Sequence, residues 1–314
     1  GKKGHNWLDA VFANKMPTEV GHSCLTPLIS RRGGIAGDFT VTLIAEDEYW
    51  IFGSGLAEHY HKRFFDAVPM PDGVSFESRT EAFCGFSVAG PQSRKILQRL
   101  TNTSLNTEDF QFMRSKRVNW ASIDVIMLRV SFTGDLGWEV YCRTADQKSL
   151  YGALLEAGKE FGVGPVGSRA LMSMRMEKGY GSWSREYSPE YWPHEQGMDR
   201  LCKMDKEFLN KEALQAVLAI EPREQMVLLH LDEAAVTASN ADATGGEPIF
   251  KDGNGVGRVT SGAYGYSVGR SLALAMVKDV GSGDEVEVMV LGQPHKAKIL
   301  NEPPFDPKGE KLRA

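Results

Sequence analysis

The chain has 314 residues, 42% of them hydrophobic and 25% charged, with a formal net charge of −5 at pH 7. That length supports two or more compact domains, and the composition is that of an ordinary globular protein. The acidic balance excludes a nucleic-acid platform, which carries a basic excess. No apolar run approaches the roughly 18 residues that a membrane span requires. The four cysteines, Cys24, Cys84, Cys142 and Cys202, are widely spaced and form no CxxC pair. They read as free thiols rather than a metal site, in a reducing compartment: the cytoplasm, or the mitochondrial matrix in a eukaryote. The chain opens Gly-Lys-Lys-Gly without a Met or a signal-peptide core, so a fragment or processed form is expected.

Trp7, Leu8, Val11 and Phe12 recur at helical spacing and predict a short helix over 6–14, stopped before Pro17. Gly33, Gly34 and Gly37 then make a glycine-rich turn that delivers Asp38 to the mouth of an apolar strand, Phe39–Ile44. On this pattern alone Asp38 is a turn-capping residue, and a catalytic role needs a further observation. Tyr49–Phe52 completes a hairpin around residues 45–48. A helix is expected over 56–68, strands over 75–78 and 83–89, and a helix from Gly90-Pro91 to Leu100. A polar loop spans 102–109. The strand at 123–130 runs through Ser131–Gly137 into a strand at 138–142, and a helix covers 145–161. Strands and helices in this order predict an α+β domain of ferredoxin-like split βαβ units.

Gly162–Gly167 fits GxGxxG by letters, but it follows a helix and contains Pro165. A dinucleotide fingerprint needs a strand before it and a helix N-terminus after it, so this is a helix-to-helix connection. The next helix, 168–178, is rich in Met, which suits core filling. It ends on Glu177, a carboxylate that opposes the helix dipole. Glu177 either pairs with Arg175 or Lys178 at the surface, or is buried to accept two N–H groups of a ligand. Residues 187–206 are irregular and aromatic, 208–217 is helical, and Glu221-Pro222-Arg223 marks a boundary. Beyond it, strands are expected at 225–231, 248–250, 257–260, 272–277, 285–290 and 295–300. The division is therefore 1–222 and 223–314, the second part being a small β-barrel or jelly roll.

Several blocks stand in one known order. Gly33–Asp38, Ser131–Glu139, Gly167-Ser168-Arg169 with Met174–Glu177, Lys206–Leu214 and Val259–Tyr264 resemble motifs of the aminomethyltransferase family, which includes the glycine-cleavage T-protein. The run Met176–Glu186, followed by Pro193–Met198, is most similar to the C-terminal folate-binding module of dimethylglycine and sarcosine dehydrogenases. The first strand-and-helix section of that module is missing here, which again suggests part of a larger enzyme.

The resemblance implies tetrahydrofolate as cofactor and transfer of a one-carbon unit from an N-methylated glycine such as dimethylglycine or sarcosine. It implies a methylated amine or its iminium as substrate, and a flavin-containing dehydrogenase domain or subunit as partner. By motif match, Glu177 anchors the pterin, Leu25, Phe52 and Phe132 pack its faces, and Asp38 orients the reactive nitrogens or takes a proton. Ser54, Tyr180 and Lys206 complete the expected cofactor contacts, and no metal is expected. Phe132 replaces a frequent Tyr, Leu25 a frequent Tyr, Ser54 a frequent Asn, and Lys206 a possible Arg that would bind a carboxylate bidentately. Two other readings stay open: a stand-alone demethylase of a sulfonium, betaine or aryl-methyl substrate, and a non-catalytic folate-binding module.

Overall fold

Three β-layers carry the chain in the computed structural model, which describes residues 1–120, 122–232 and 241–314. The first is an antiparallel sheet of β1 (Ser23–Ile29), β2 (Ile35–Ala45) and β3 (Glu48–Phe52). Alternation along β2 sends Phe39 and Val41 to one face and Asp38, Thr40 and Thr42 to the other. The first face buries against α1 (Lys2–Val11) and α2 (Glu58–Phe65), in a core with Trp7, Leu8, Phe12 and Phe65.

The second sheet runs β4 (Phe83–Ala89), β7 (Gly137–Arg143), β6 (Ile123–Leu128), β5 (Ser115–Trp120), with every pair antiparallel. One face packs Met127, Trp138 and Val140 against Leu97 of α3 (Ser93–Gln98) and Leu150 and Leu154 of α4 (Gln147–Gly158). Its other face presents Ile126, Leu128 and Tyr141 to Trp50 and Phe52 of the first sheet. The two sheets thus meet face to face along a seam.

The third layer is a closed antiparallel barrel in the order β10-β11-β8-β13-β12-β9. Its strands are β8 (Gln225–Leu231), β9 (Pro248–Lys251), β10 (Asn254–Gly265), β11 (Arg270–Val277), β12 (Glu285–Val290) and β13 (Gln293–Ile299). Closure removes free sheet edges, and alternate residues such as Val286, Val288, Ala297 and Ile299 fill the interior. The helix α5 (Ser168–Glu177) joins the barrel to the rest, with Met176 packed among Leu228, Leu272 and Leu274. The helix α6 (Lys211–Leu218) packs Leu214 and Val217 with Ala13, Ile29 and Phe208. The α+β class with a C-terminal barrel is as expected.

Local differences have physical causes. The glycine-rich turn is shorter than expected: β2 already starts at Ile35, and Gly33 alone of its glycines has positive φ, 79°. Residues 75–78 form no strand. The strand β1 was not foreseen because Pro27 demotes a strand reading; here Pro27 sits on an edge strand opposite Asp38. The strand β5 was missed because Lys116, Arg117 and Asn119 break its apolar signal. The GxGxxG-like run is an exposed link ahead of α5, with Gly162 left-handed at φ 70°. All four cysteines are free, yet Cys84 and Cys142 are direct cross-strand partners with sulfurs 3.5 Å apart, which linear spacing concealed.

Candidate functional site

Strand register assembles the site. Leu25 pairs with Thr40, Thr40 with Phe52, and Pro27 with Asp38, so Leu25, Asp38 and Phe52 share the face of the first sheet that looks across the seam. Leu25 is 44% exposed and marks the mouth of the cleft. On the opposing sheet Glu139 pairs with Leu128 and Tyr141 with Ile126, which sets both on the face turned toward Phe52. The rings of Phe52 and Tyr141 meet with centroids 4.5 Å apart, and Trp50 stands edge-on to Phe83 at 4.7 Å. Ser54 follows one residue beyond Phe52-Gly53, half-buried where a short 3-10 turn opens.

Two carboxylates line this cleft in strained electrostatic circumstances. Burial raises Asp38 to about 6, an effect partly offset by its own backbone N–H. Burial also raises Glu139, against the pull of the hydrogen bond that the Tyr141 hydroxyl donates to it at 2.7 Å. Burial, and after it the charge of Asp38, pushes the Tyr187 hydroxyl up to about 12. Tyr187 therefore belongs to the surroundings of Asp38. Sequence reading passed over Glu139 and Tyr187. The signal for Glu139 was present: it is a carboxylate alternating with the apolar Trp138 and Val140, hence on the opposite face of a buried strand.

Two more of the expected cofactor residues form an aromatic pair of their own. Phe132 and Tyr180 lie nearly parallel, 18° between planes, with centroids 6.5 Å apart. Their segments touch, because Gly134 at φ 81° packs directly on the stem of Lys178. Burial, then the charges of Arg313, Asp306 and Arg200, acts on the Tyr180 hydroxyl, with a net upward shift.

Two other expected ligand residues also hold contacts within the chain. Glu177 is 1% exposed, and its Oε1 accepts the backbone N–H of Ser267, at 2.6 Å, in the link between β10 and β11. Its carbonyl accepts the N–H of Phe305 at 3.1 Å. Lys206 donates to the carbonyls of Asp9 and Phe12, the latter at 2.7 Å, and its ammonium is 3.5 Å from the Asp9 carboxylate. It caps the C-terminal end of α1. The fully buried Glu186 is likewise structural: it pairs with Arg175 at 2.8 Å and accepts from Ser182 N–H, Thr260 and Ser261.

Structure thus brings together Asp38, Phe52 and Leu25, adds Glu139, Tyr141 and Tyr187, and sets Phe132 with Tyr180. An open cavity of about 460 Å³, lined by Val20, Ile44, Arg114 and Lys116 among others, lies toward the far end of β2. Ile44 is about 20 Å along the strand from Asp38 at 3.3–3.4 Å per residue. Its mixed basic and acidic lining has none of the aromatic surfaces described above. Among the described residues, no three His, Cys, Asp or Glu side chains are grouped to hold a metal ion, and no helix is long and apolar enough to cross a membrane.

Comparison with known proteins gives the same outline. Residues 1–206 match the model of the GCVT N-terminal domain, and residues 225–306 that of the glycine cleavage T-protein C-terminal barrel domain. The chain is 33% identical to mitochondrial dimethylglycine dehydrogenase of Mus musculus over 309 residues, 96% of this chain and 35% of that protein. It is 27% identical to mitochondrial sarcosine dehydrogenase of Mus musculus, over 99% of this chain and 36% of that one. It is 28% identical to an aminomethyltransferase of Desulforamulus reducens, over 90% of this chain and 76% of that one. The chain thus spans about a third of the length of the two dehydrogenases. In fold it resembles the crystal structure of glycine cleavage system aminomethyltransferase T from Bartonella henselae, with a TM-score of 0.82 at 21% identity, covering 97% of this chain and 82% of the other.

Proposed function

Because the chain belongs to the glycine cleavage T-protein family, the aminomethyltransferases, whose cofactor is tetrahydrofolate, we propose that it transfers a one-carbon unit to tetrahydrofolate in the cleft between its two sheets. The observation that carries this reading is the placement of two half-buried carboxylates, Asp38 and Glu139, on facing sheets joined by the Phe52–Tyr141 contact. The donor set fits such a cofactor. A flat heterocycle with an amide-like N–H pair needs a carboxylate that accepts two hydrogen bonds and aromatic walls beside it. Glu139 supplies the first, and Phe52, Phe132 and Tyr180 supply the second. Glu177, expected in that role, stays the alternative anchor: its Oε1 accepts the Ser267 N–H, just as a Glu139 oxygen accepts the Tyr141 hydroxyl.

When bound, tetrahydrofolate supplies the amine nitrogens that receive the one-carbon unit. Asp38 then orients those nitrogens and accepts a proton. A base is most effective when its pKa lies near the working pH, and about 6 meets that condition far better than an ordinary aspartate. Leu25 and Phe52 share its face of the sheet, and Tyr187 is close enough to feel its charge.

The donor is an N-methylated glycine such as dimethylglycine or sarcosine, presented as its iminium by a flavin-containing dehydrogenase domain or subunit. Support comes from the names of the mouse relatives and from the third of their length that this chain spans. The free thiols suit a reducing compartment such as the one named for those relatives. Titration of the chain with tetrahydrofolate tests the reading. Binding that is weakened by Glu139→Gln and retained in Asp38→Asn, with transfer lost in the latter, is the expected result. Failure of the chain to bind tetrahydrofolate at all overturns it.

A further inference from the structure

Asp38 follows a defect in its own strand. Between Ile29↔Ile35 and Leu28↔Gly37 the β1–β2 register shifts, so Ala36 is an extra residue with no partner on β1. The strand β3 first pairs with β2 at Thr40 and offers Ala36 none either. Such a bulge bends a strand and re-aims the side chains after it, at the cost of a broken ladder. Its position matters because side chains alternate: a slip of one residue would turn Asp38 into the α1–α2 core and Phe39 into the cleft.

His61 occupies the place of the missing ladder partner. It stands on α2, is 3% exposed, and holds Nε2 3.1 Å from the Ala36 carbonyl oxygen. A carbonyl only accepts, so Nε2 carries the proton. Burial keeps His61 below the usual histidine range, with the Ala36 carbonyl opposing, so the ring is neutral at pH 7. The neighbouring Gly37 makes room for it: a Cβ there would lie 2.8 Å from Nε2 of His61 and 2.6 Å from the Phe39 ring. The imidazole also stands edge-on to Phe39, centroids 4.8 Å apart, and to Trp183 at 5.0 Å. Trp183 is bridged to Tyr187, the phenol that feels the charge of Asp38. One ring thereby touches the core side of the Asp38 strand and the segment that carries Tyr187.

We propose that His61 is a positioning residue for the one-carbon transfer: its Nε2–H bond to the Ala36 carbonyl holds the β-bulge that turns Asp38 toward the cleft. This rests on the reading of Asp38 as the acting carboxylate. His61→Phe keeps an aromatic ring against Phe39 and Trp183 but removes the donor, while His61→Gln can restore an N–H. Tetrahydrofolate affinity of the full chain is measured by titration from pH 5 to 8 in the wild type, both His61 variants and Asp38→Asn. The wild-type dependence is expected to show a midpoint near pH 6 that Asp38→Asn abolishes. His61→Phe should move that midpoint by half a unit or more, and His61→Gln should bring it back. An unmoved midpoint in His61→Phe overturns the His61 role while leaving Asp38 intact. A wild-type midpoint that survives Asp38→Asn overturns the Asp38 reading instead. Should His61→Phe fail to fold, the tautomer decides: nitrogen NMR of the wild-type ring must show a proton on Nε2 throughout this range, and an unprotonated Nε2 overturns the proposal.

Discussion

Phe52 and Tyr141 meet with ring planes 32° apart and centroids 4.5 Å apart, and through that contact the strand next to Asp38 is fixed against the strand that bears Glu139. Neither carboxylate is placed by a loop. Both sit on strands whose opposite faces are buried in separate cores, so their separation is held by packing on two sides.

Asp38→Asn is expected to lower one-carbon transfer by about 10²–10⁴-fold, the usual loss on removing a general base. In the wild type, activity should rise as pH passes about 6, where Asp38 ionises. Stability moves the other way. The folded pKa lies above the ordinary aspartate value of 3.8, so the native state holds the proton more tightly and stability falls as pH rises from 3.8 through about 6. That shift corresponds to at most about 3 kcal/mol, at 1.36 kcal/mol per unit. Denaturant melts should find Asp38→Asn more stable than the wild type at pH 8, with the difference gone below pH 4.

Glu139→Gln should weaken tetrahydrofolate binding by roughly 10–150-fold, the equivalent of losing a hydrogen bond to a charged group worth about 1.5–3 kcal/mol. Glu177→Gln should leave affinity nearly unchanged and lower stability instead, because its Oε1 serves Ser267. Parallel titrations and melts of the two variants separate the roles. The reverse pattern would return the anchor to Glu177.

Lys206→Met should cost roughly 1–2 kcal/mol of stability by uncapping α1, since bonds from a charged donor and the helix dipole are both lost. Tetrahydrofolate affinity should stay within twofold. A large loss of affinity at full stability would show instead that the ammonium leaves α1 to meet the ligand.

Gly34→Ala and Gly164→Ala should differ sharply. A Cβ at Gly34 collides with the backbone carbonyl of Pro189, and Ile35 N–H is bonded to the Tyr191 carbonyl alongside, so the neighbour cannot yield. The expected loss is roughly 1–3 kcal/mol or more. At Gly164 the added methyl meets open space, and the change should fall within about 0.5 kcal/mol. Thermal melts read both, and an intolerant Gly164 would reopen a binding role for the GxGxxG-like link.

Much of the architecture was legible because it rests on local signals. Alternation in β12 and β13 marks barrel strands, and amphipathic spacing marks α1. Asp38, Phe52 and Leu25 could be picked out along the chain, but their common face could not, because it depends on the Leu25–Thr40–Phe52 register. Glu177 could be picked out by its conspicuous motif, but its surroundings could not. Nothing in a linear reading says that Ser267, ninety residues on, claims its Oε1. Glu139 is the converse case, a half-buried carboxylate whose place is set by the sheet opposite.

The end of α5 is held by the C-terminal part of the chain. Ser267 binds Glu177 from 90 residues away and Asp306 receives Lys178 from 128 residues away, while Tyr180 follows directly. The aromatic wall made by Phe132 and Tyr180 is therefore completed late in synthesis. A nascent chain can form the Asp38 sheet early, but the proposed ligand site lacks these contacts until residue 306 has left the ribosome. Truncation within the barrel is therefore expected to abolish tetrahydrofolate binding even where the first sheet folds, a result that titration of the truncated chain would check.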